Sequence, residues 1–128
     1  MHTGVKIRDS SIPHKARRAN RVYLVGPVTG IADFNYPAFN AVADQLRALG
    51  YEVENPADHG IVEGARWADY MAYDLTRLGL CGVIALLPDG KKSQGARLEV
   101  LIAEKLGMTV VNAHDLQMVK ISDSATME

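Results

Sequence analysis

The sequence predicts an α/β fold built on a parallel sheet, and three observations carry that prediction. Short β-rich runs alternate with amphipathic helical stretches from residue 21 onward. The run 83–87 is apolar throughout, as in a strand covered on both faces. Turn and stop residues (Gly26-Pro27, Gly50, Asn55-Pro56, Gly107) punctuate the alternation where each element must end.

Taken in order, Val22-Tyr23-Leu24-Val25 is a short strand closed by Gly26-Pro27, with Thr29-Gly30 just after. Pro37 to Leu49 is a helix, because Phe39, Val42, Ala43, Leu46 and Leu49 share one face. Tyr51 to Glu54 is a short strand ended by Asn55-Pro56, and 57–64 is a loop holding His59. Arg66 to Leu78 is helical, with Trp67, Tyr70, Met71, Asp74, Leu75 and Leu78 spaced by three or four. A strand over 82–87, a helix over 96–106 and a strand over 108–111 complete the pattern. On this reading Trp67 and Tyr23 belong to the core, His59 is exposed after a turn, and Cys81 is a small buried hydrophobe.

With 128 residues the chain makes one domain with a proper core. Charge divides it further. Residues 1–21 hold six Lys or Arg against Asp9 alone, leaving eight basic and fourteen acidic residues in the remainder. We therefore expect a flexible basic arm over 1–20, a domain over 21–112 and a polar tail over 113–128. An acidic body makes nucleic acid an improbable main partner. No apolar run approaches the roughly 18–20 residues of a membrane span, and a single cysteine builds neither a disulfide framework nor a thiolate cluster. A cytoplasmic, reducing setting without membrane attachment is the expectation.

Parallel sheets bind ligands beyond the carboxyl ends of their strands, where strand order reverses. The loops after Val25, Glu54 and Leu87 lie at that end. After Leu87 come a Pro88-Asp89-Gly90 turn, Lys91-Lys92, then Ser93, Gly95 and a helix carrying Glu99. Amides at a helix start favour an anion, so Ser93 with Lys92 marks a corner for a phosphate or a sugar hydroxyl. Glu99 just behind it suits chemistry on a sugar. Asp74, on the preceding helix, supplies a second carboxylate; two such groups are the minimal equipment for breaking a glycosidic bond. Tyr23 stands where it can orient one of them. Plainer roles are open to the same residues: Glu99 as a solvated helix residue, Ser93 as a cap, Asp74 paired with Arg77 or Arg66. No Walker loop, GxGxxG or paired Cys/His spacing is present, so no cofactor or metal is expected.

Tyr23-Leu-Val-Gly-Pro, Asn55-Pro, Asp74-Leu before an apolar strand, and Ser93-x-Gly95-x-x-x-Glu99 resemble the nucleoside 2-deoxyribosyltransferase superfamily. That group includes the nucleoside 5′-monophosphate N-glycosidases. Over 21–111 the chain is most similar to short phage and bacterial members with the pattern YLxGPxTG…NPAxHG…SxGAxLE. The resemblance implies a flavodoxin- or Rossmann-like three-layer sandwich of about four to five strands. It implies Glu99 as nucleophile at C1′, Asp74 as leaving-group carboxylate and Tyr23 as their neighbour. Gly26, Pro27, Asn55, His59, Ser93 and Gly95 would contact the ligand. It further implies a small-molecule nucleotide or nucleoside partner and a homo-oligomer whose neighbour helps complete the site. Arg97, where the family carries a small or aromatic residue, would contact phosphate or alter the pocket, and Asn112 is a weak match to a C-terminal site residue. Hydrolysis of a nucleoside 5′-monophosphate is the leading expectation, with base transfer and a non-catalytic nucleotide-binding module as alternatives.

Overall fold

The computed structural model describes residues 18–118. Strands β1 (Arg21–Val25), β2 (Glu52–Glu54), β3 (Val83–Leu86) and β4 (Thr109–Asn112) form one sheet in the spatial order β2-β1-β3-β4. Every neighbouring pair is parallel, with Val22 opposite Val53 on one side and Val83 on the other. Helices α1 (Tyr36–Ala48), α2 (Trp67–Leu78) and α3 (Gln94–Lys105) connect them, with short 3-10 turns at Ala32–Asn35, Pro56–His59 and Gly90–Lys92. The expected α/β sandwich is the observed one.

Strand alternation explains the three layers. Tyr23 and Val25 of β1 and Ile84 and Leu86 of β3 face one side, where Leu78, Ala96, Val100 and Ala103 of α2 and α3 cover them. Val22, Leu24, Ala85 and Leu87 face the other, against Phe39, Ala43 and Leu46 of α1. The spacing of those three α1 residues follows the helical repeat. Burying a Leu or Phe side chain contributes about 1.5–3 kcal/mol, and Leu46 is fully buried. Leu46→Ala therefore costs about 2–5 kcal/mol.

The connection from β1 to β2 moves one way along the sheet, and that from β2 to β3 steps back across β1. Right-handed crossovers then put α1 on one face and α2 and α3 on the other. The reversal opens a crevice between the carboxyl ends of β1 and β3.

Two boundaries differ from expectation. Residues 113–118 are helical, with Ala113 buried and Leu116 packed into the α1-side core, so the tail does not begin at 113. At the other end, the Arg18 guanidinium donates to the Cys81 carbonyl at 3.3 Å and Asn20 donates to Gly50 at 2.9 Å. Gly82 makes that approach possible, since a Cβ there would sit 2.5 Å from the Arg18 carbonyl oxygen. Residues 18–20 thus belong to the domain; the rest of the expected arm and tail lies outside the described residues. Among the described residues no helix is long and apolar enough to cross a membrane.

Candidate functional site

Glu99 is the sixth residue of α3 and occupies an apolar-facing position, in register with Ala96, Val100 and Ala103 on the helix's buried side. Only 7% of it is exposed. A bare carboxylate there would carry a heavy desolvation cost. Its partner is Tyr23 in the middle of β1, whose hydroxyl donates to Oε2 at 2.5 Å. Burial pushes the Glu99 carboxyl up to about 7; the Tyr23 hydrogen bond opposes that rise and the charge of Asp74 adds to it. The Tyr23 hydroxyl is itself held well above its ordinary value by burial and by Glu99 and Asp74.

Asp74 projects from the third turn of α2. Burial raises its carboxyl to about 6, opposed by the nearby imidazole of His59. His59 is not exposed as the turn before it suggests. Its ring lies 5.0 Å from that of Tyr70 and 5.9 Å from that of Tyr73, and 13% of its side chain is accessible. Its Nδ1 lies 2.6 Å from the Gly60 carbonyl oxygen, which can only accept, so Nδ1 carries the hydrogen. That leaves Nε2 facing Asp74 Oδ1 at 3.6 Å. The basic side chain beside Asp74 is therefore His59 rather than Arg77, whose guanidinium is engaged by Glu54.

These groups meet at a cavity of about 310 Å³ in the crevice between β1 and β3. Gly26, His59, Asp74, Ser93, Gly95 and Glu99 all line it, while Tyr23 reaches it through Glu99. Gly26 is required there because a Cβ would stand 3.0 Å from Leu87 Cβ and 3.2 Å from Phe39 Cζ. A Cβ at Gly95 would press on Met71 and approach the Trp67 indole, narrowing the cavity from α3. Ser93 caps α3, its hydroxyl accepting from Ala96 N at 3.3 Å, and borders the cavity as well.

Four expected contacts fall elsewhere. Asn55 is buried, accepting from Ala57 N at 3.0 Å and donating to Asn40 Oδ1 at 2.9 Å; it holds the turn at Pro56–His59. The Pro27 carbonyl accepts from Asn35 at 2.9 Å, tying the loop to the start of α1. Arg97 donates to the carbonyls of Lys91 and Lys92, on the outside of the loop. Asn112 borders a separate open groove of about 550 Å³ with Lys91, Lys92 and His114. Arg97 and the Asn55 oxygen are engaged by backbone groups, and the Asn55 and Asn112 amides by the side chains of Asn40 and Asp115.

Trp67 is a correction of another kind: it is 53% exposed and forms the cavity wall rather than the core. Tyr36, Tyr70, Phe34 and Thr29 also line the cavity and were not singled out as ligand contacts. The signal was the aromatic stripe of α2, whose helical spacing reads the same whether it faces core or cavity. Phe34 lies in a run of three left-handed residues, Asp33, Phe34 and Asn35, with φ of 52°, 55° and 61°. Such backbone costs about 1–2 kcal/mol per residue without glycine. It turns the chain sharply so that Phe34 and Tyr36 close one side of the cavity. Cys81 is buried as expected, its thiol pushed up to about 12 by burial. Among the described residues no group of three or more His, Cys, Asp or Glu is placed to hold a metal ion.

Fold and site together define an α/β protein with two buried carboxyls, a histidine and an aromatic wall converging at the strand-order reversal. The chain belongs to the DUF4406 family, a domain of unknown function whose model matches residues 20–112. It has no match among curated proteins.

Proposed function

We propose that this protein cleaves the N-glycosidic bond of a nucleoside or nucleotide through a glycosyl-enzyme intermediate on Glu99. The observation that carries the reading is the 2.5 Å bond from Tyr23 to Glu99 with Asp74 in the same cavity. The resemblance to the nucleoside 2-deoxyribosyltransferase superfamily supports it independently.

A Glu99 carboxylate oxygen attacks C1′ of the sugar, and the C1′–N bond breaks with its electron pair passing to the base. Asp74 gives its proton to that nitrogen. Burial raises Asp74 to about 6 and Glu99 to about 7, close enough for one proton to be shared. The Tyr23 hydroxyl donating to Glu99 favours the ionised form there, so the reactive state has the proton on Asp74. His59 Nε2, 3.6 Å from Asp74 Oδ1, helps to position that carboxyl. Water then attacks C1′, yields its proton to the Asp74 carboxylate and frees Glu99; a second base taking the place of water would make the reaction a transfer. Trp67, Tyr70 and Tyr36 offer flat apolar surface to the base. Exposed Phe34, Ile61, Val62 and Trp67 at the mouth suit coverage by a second copy of the chain, the homo-oligomer of our reading.

The test is chromatographic analysis of products after incubation with deoxynucleosides and their 5′-monophosphates, with Glu99→Gln alongside. Free base from the wild type alone is the expected result. Ligand bound without product would replace catalysis with a binding role.

A further inference from the structure

Among the described residues lining the cavity there is no lysine or arginine; the one side chain able to carry positive charge is His59, and it faces Asp74. Three of the cations near the carboxyl edge of the sheet lie outside the cavity and have partners there. Lys92 lies 3.3 Å from Asp89, Arg97 caps the carbonyls of Lys91 and Lys92, and Arg77 is held by Glu54. The causes that set the two carboxyls point the same way: burial dominates both, and no Lys or Arg draws either down. What remains for polar recognition is neutral, chiefly the hydroxyls of Ser93 and Thr29, since those of Tyr36 and Tyr70 bond the backbone of Gly60 and Val62.

We propose that the cavity selects the uncharged nucleoside over its 5′-phosphate, because a phosphate would enter a space lined by two carboxyls and no guanidinium or ammonium. This rests on the reading of the site as one for an N-glycosidic substrate and reverses the monophosphate preference expected from the Lys92-Ser93 corner. When the site can react, at least one of Asp74 and Glu99 is ionised, so a phosphate dianion brought beside them meets like charge. Sugar hydroxyls meet acceptors instead. The Ser93 hydroxyl accepts from Ala96 N and so has its own hydrogen free to donate to the 5′-hydroxyl.

The experiment uses the full chain with matched pairs: each of the four common 2′-deoxynucleosides and its 5′-monophosphate, at fixed salt. Cleavage is read as kcat/KM from base release and affinity by calorimetry on Glu99→Gln. The expected result is at least about tenfold preference for the nucleoside in both, as like-charge juxtaposition dictates. A monophosphate cleaved or bound as well as its nucleoside overturns the proposal and leaves the glycosidic chemistry standing. If nothing is cleaved but the nucleoside is still bound preferentially, the ligand class holds and the chemistry falls. Binding of neither overturns both. A charge-gain variant sharpens the result: Thr29→Lys, or Val28→Lys should that one fail to fold, narrows the preference about tenfold if charge is the discriminator. An unchanged ratio in a folded variant counts against the proposal.

Discussion

Two glutamates flank Tyr23 and are treated in opposite ways. Glu54, opposite Tyr23 on β2, receives Arg21 at 2.8 Å and Arg77 at 2.7 Å and 3.1 Å. Glu99, reached from α3, receives one neutral hydroxyl. Glu54 is paired with two guanidinium groups, whereas Glu99 lies in apolar surroundings that resist its ionisation. An acid with two cations is a structural post; an acid buried with a phenol is poised to change its proton or form a bond. Similar side chains a few ångströms of sheet apart thus separate into scaffold and site by what donates to them.

The largest effect that tests this contrast is on turnover. Glu99→Gln should lower kcat about 10³-fold or more with the circular dichroism spectrum unchanged, whereas Glu54→Gln should leave base release close to wild type. A wild-type rate from Glu99→Gln sinks the mechanism.

Next is Asp74→Asn, which removes the proton donor and should cost about 10²–10⁴-fold in kcat/KM. The loss should be smallest on substrates whose bases leave readily without protonation. A loss uniform across leaving groups would reassign Asp74 to binding.

Stability sharpens the comparison from the other side. Glu54→Ala leaves Arg77 without its carboxylate and Arg21 with Glu52 alone, and should lower the urea midpoint measurably. Glu99 has the reverse signature. Its folded carboxyl, raised from 4.5 to about 7, binds its proton more tightly than in the unfolded chain. The resulting stability is complete below about pH 4.5 and is lost as pH rises through about 7. Glu99→Gln should therefore flatten that slope, making the variant up to about 3 kcal/mol more stable than wild type at about pH 8. Parallel urea curves for both proteins at pH 5 and 8 would refute it.

The smallest effect is that of Tyr23→Phe. Losing the hydroxyl removes the influence that lowers Glu99, so the acidic limb of kcat/KM should move up by about one pH unit. An unmoved limb would make Tyr23 packing alone.

Much of this was legible in the chain before folding. Period-two and period-3.6 patterns placed the elements within a residue or two, and apolar 83–87 marked a strand buried on both faces. Glu99 stood out because a carboxylate just behind an anion-binding helix start is out of place for plain phosphate binding. Hydrophobic spacing could not tell a core from a cavity wall, so Trp67 was placed on the wrong side of that line. Nor could it foresee burial supplied from far along the chain: His59 is covered by tyrosines of α2 that local turn chemistry does not announce. Arg97 and Asn55 looked available for a ligand because backbone acceptors and donors are invisible in a residue string.

The reversed strand order has a consequence in time. Tyr23 and Glu99 are 76 residues apart, and β1 and β2 precede β3 and α3 along the chain. A β1-α1-β2 crossover unit would already hold Tyr23, with its hydroxyl not yet facing Glu99. Long-range closures of this kind come late in folding. The reactive pair therefore exists only once α3 has docked, so recovered turnover would report that docking where recovered helicity would not.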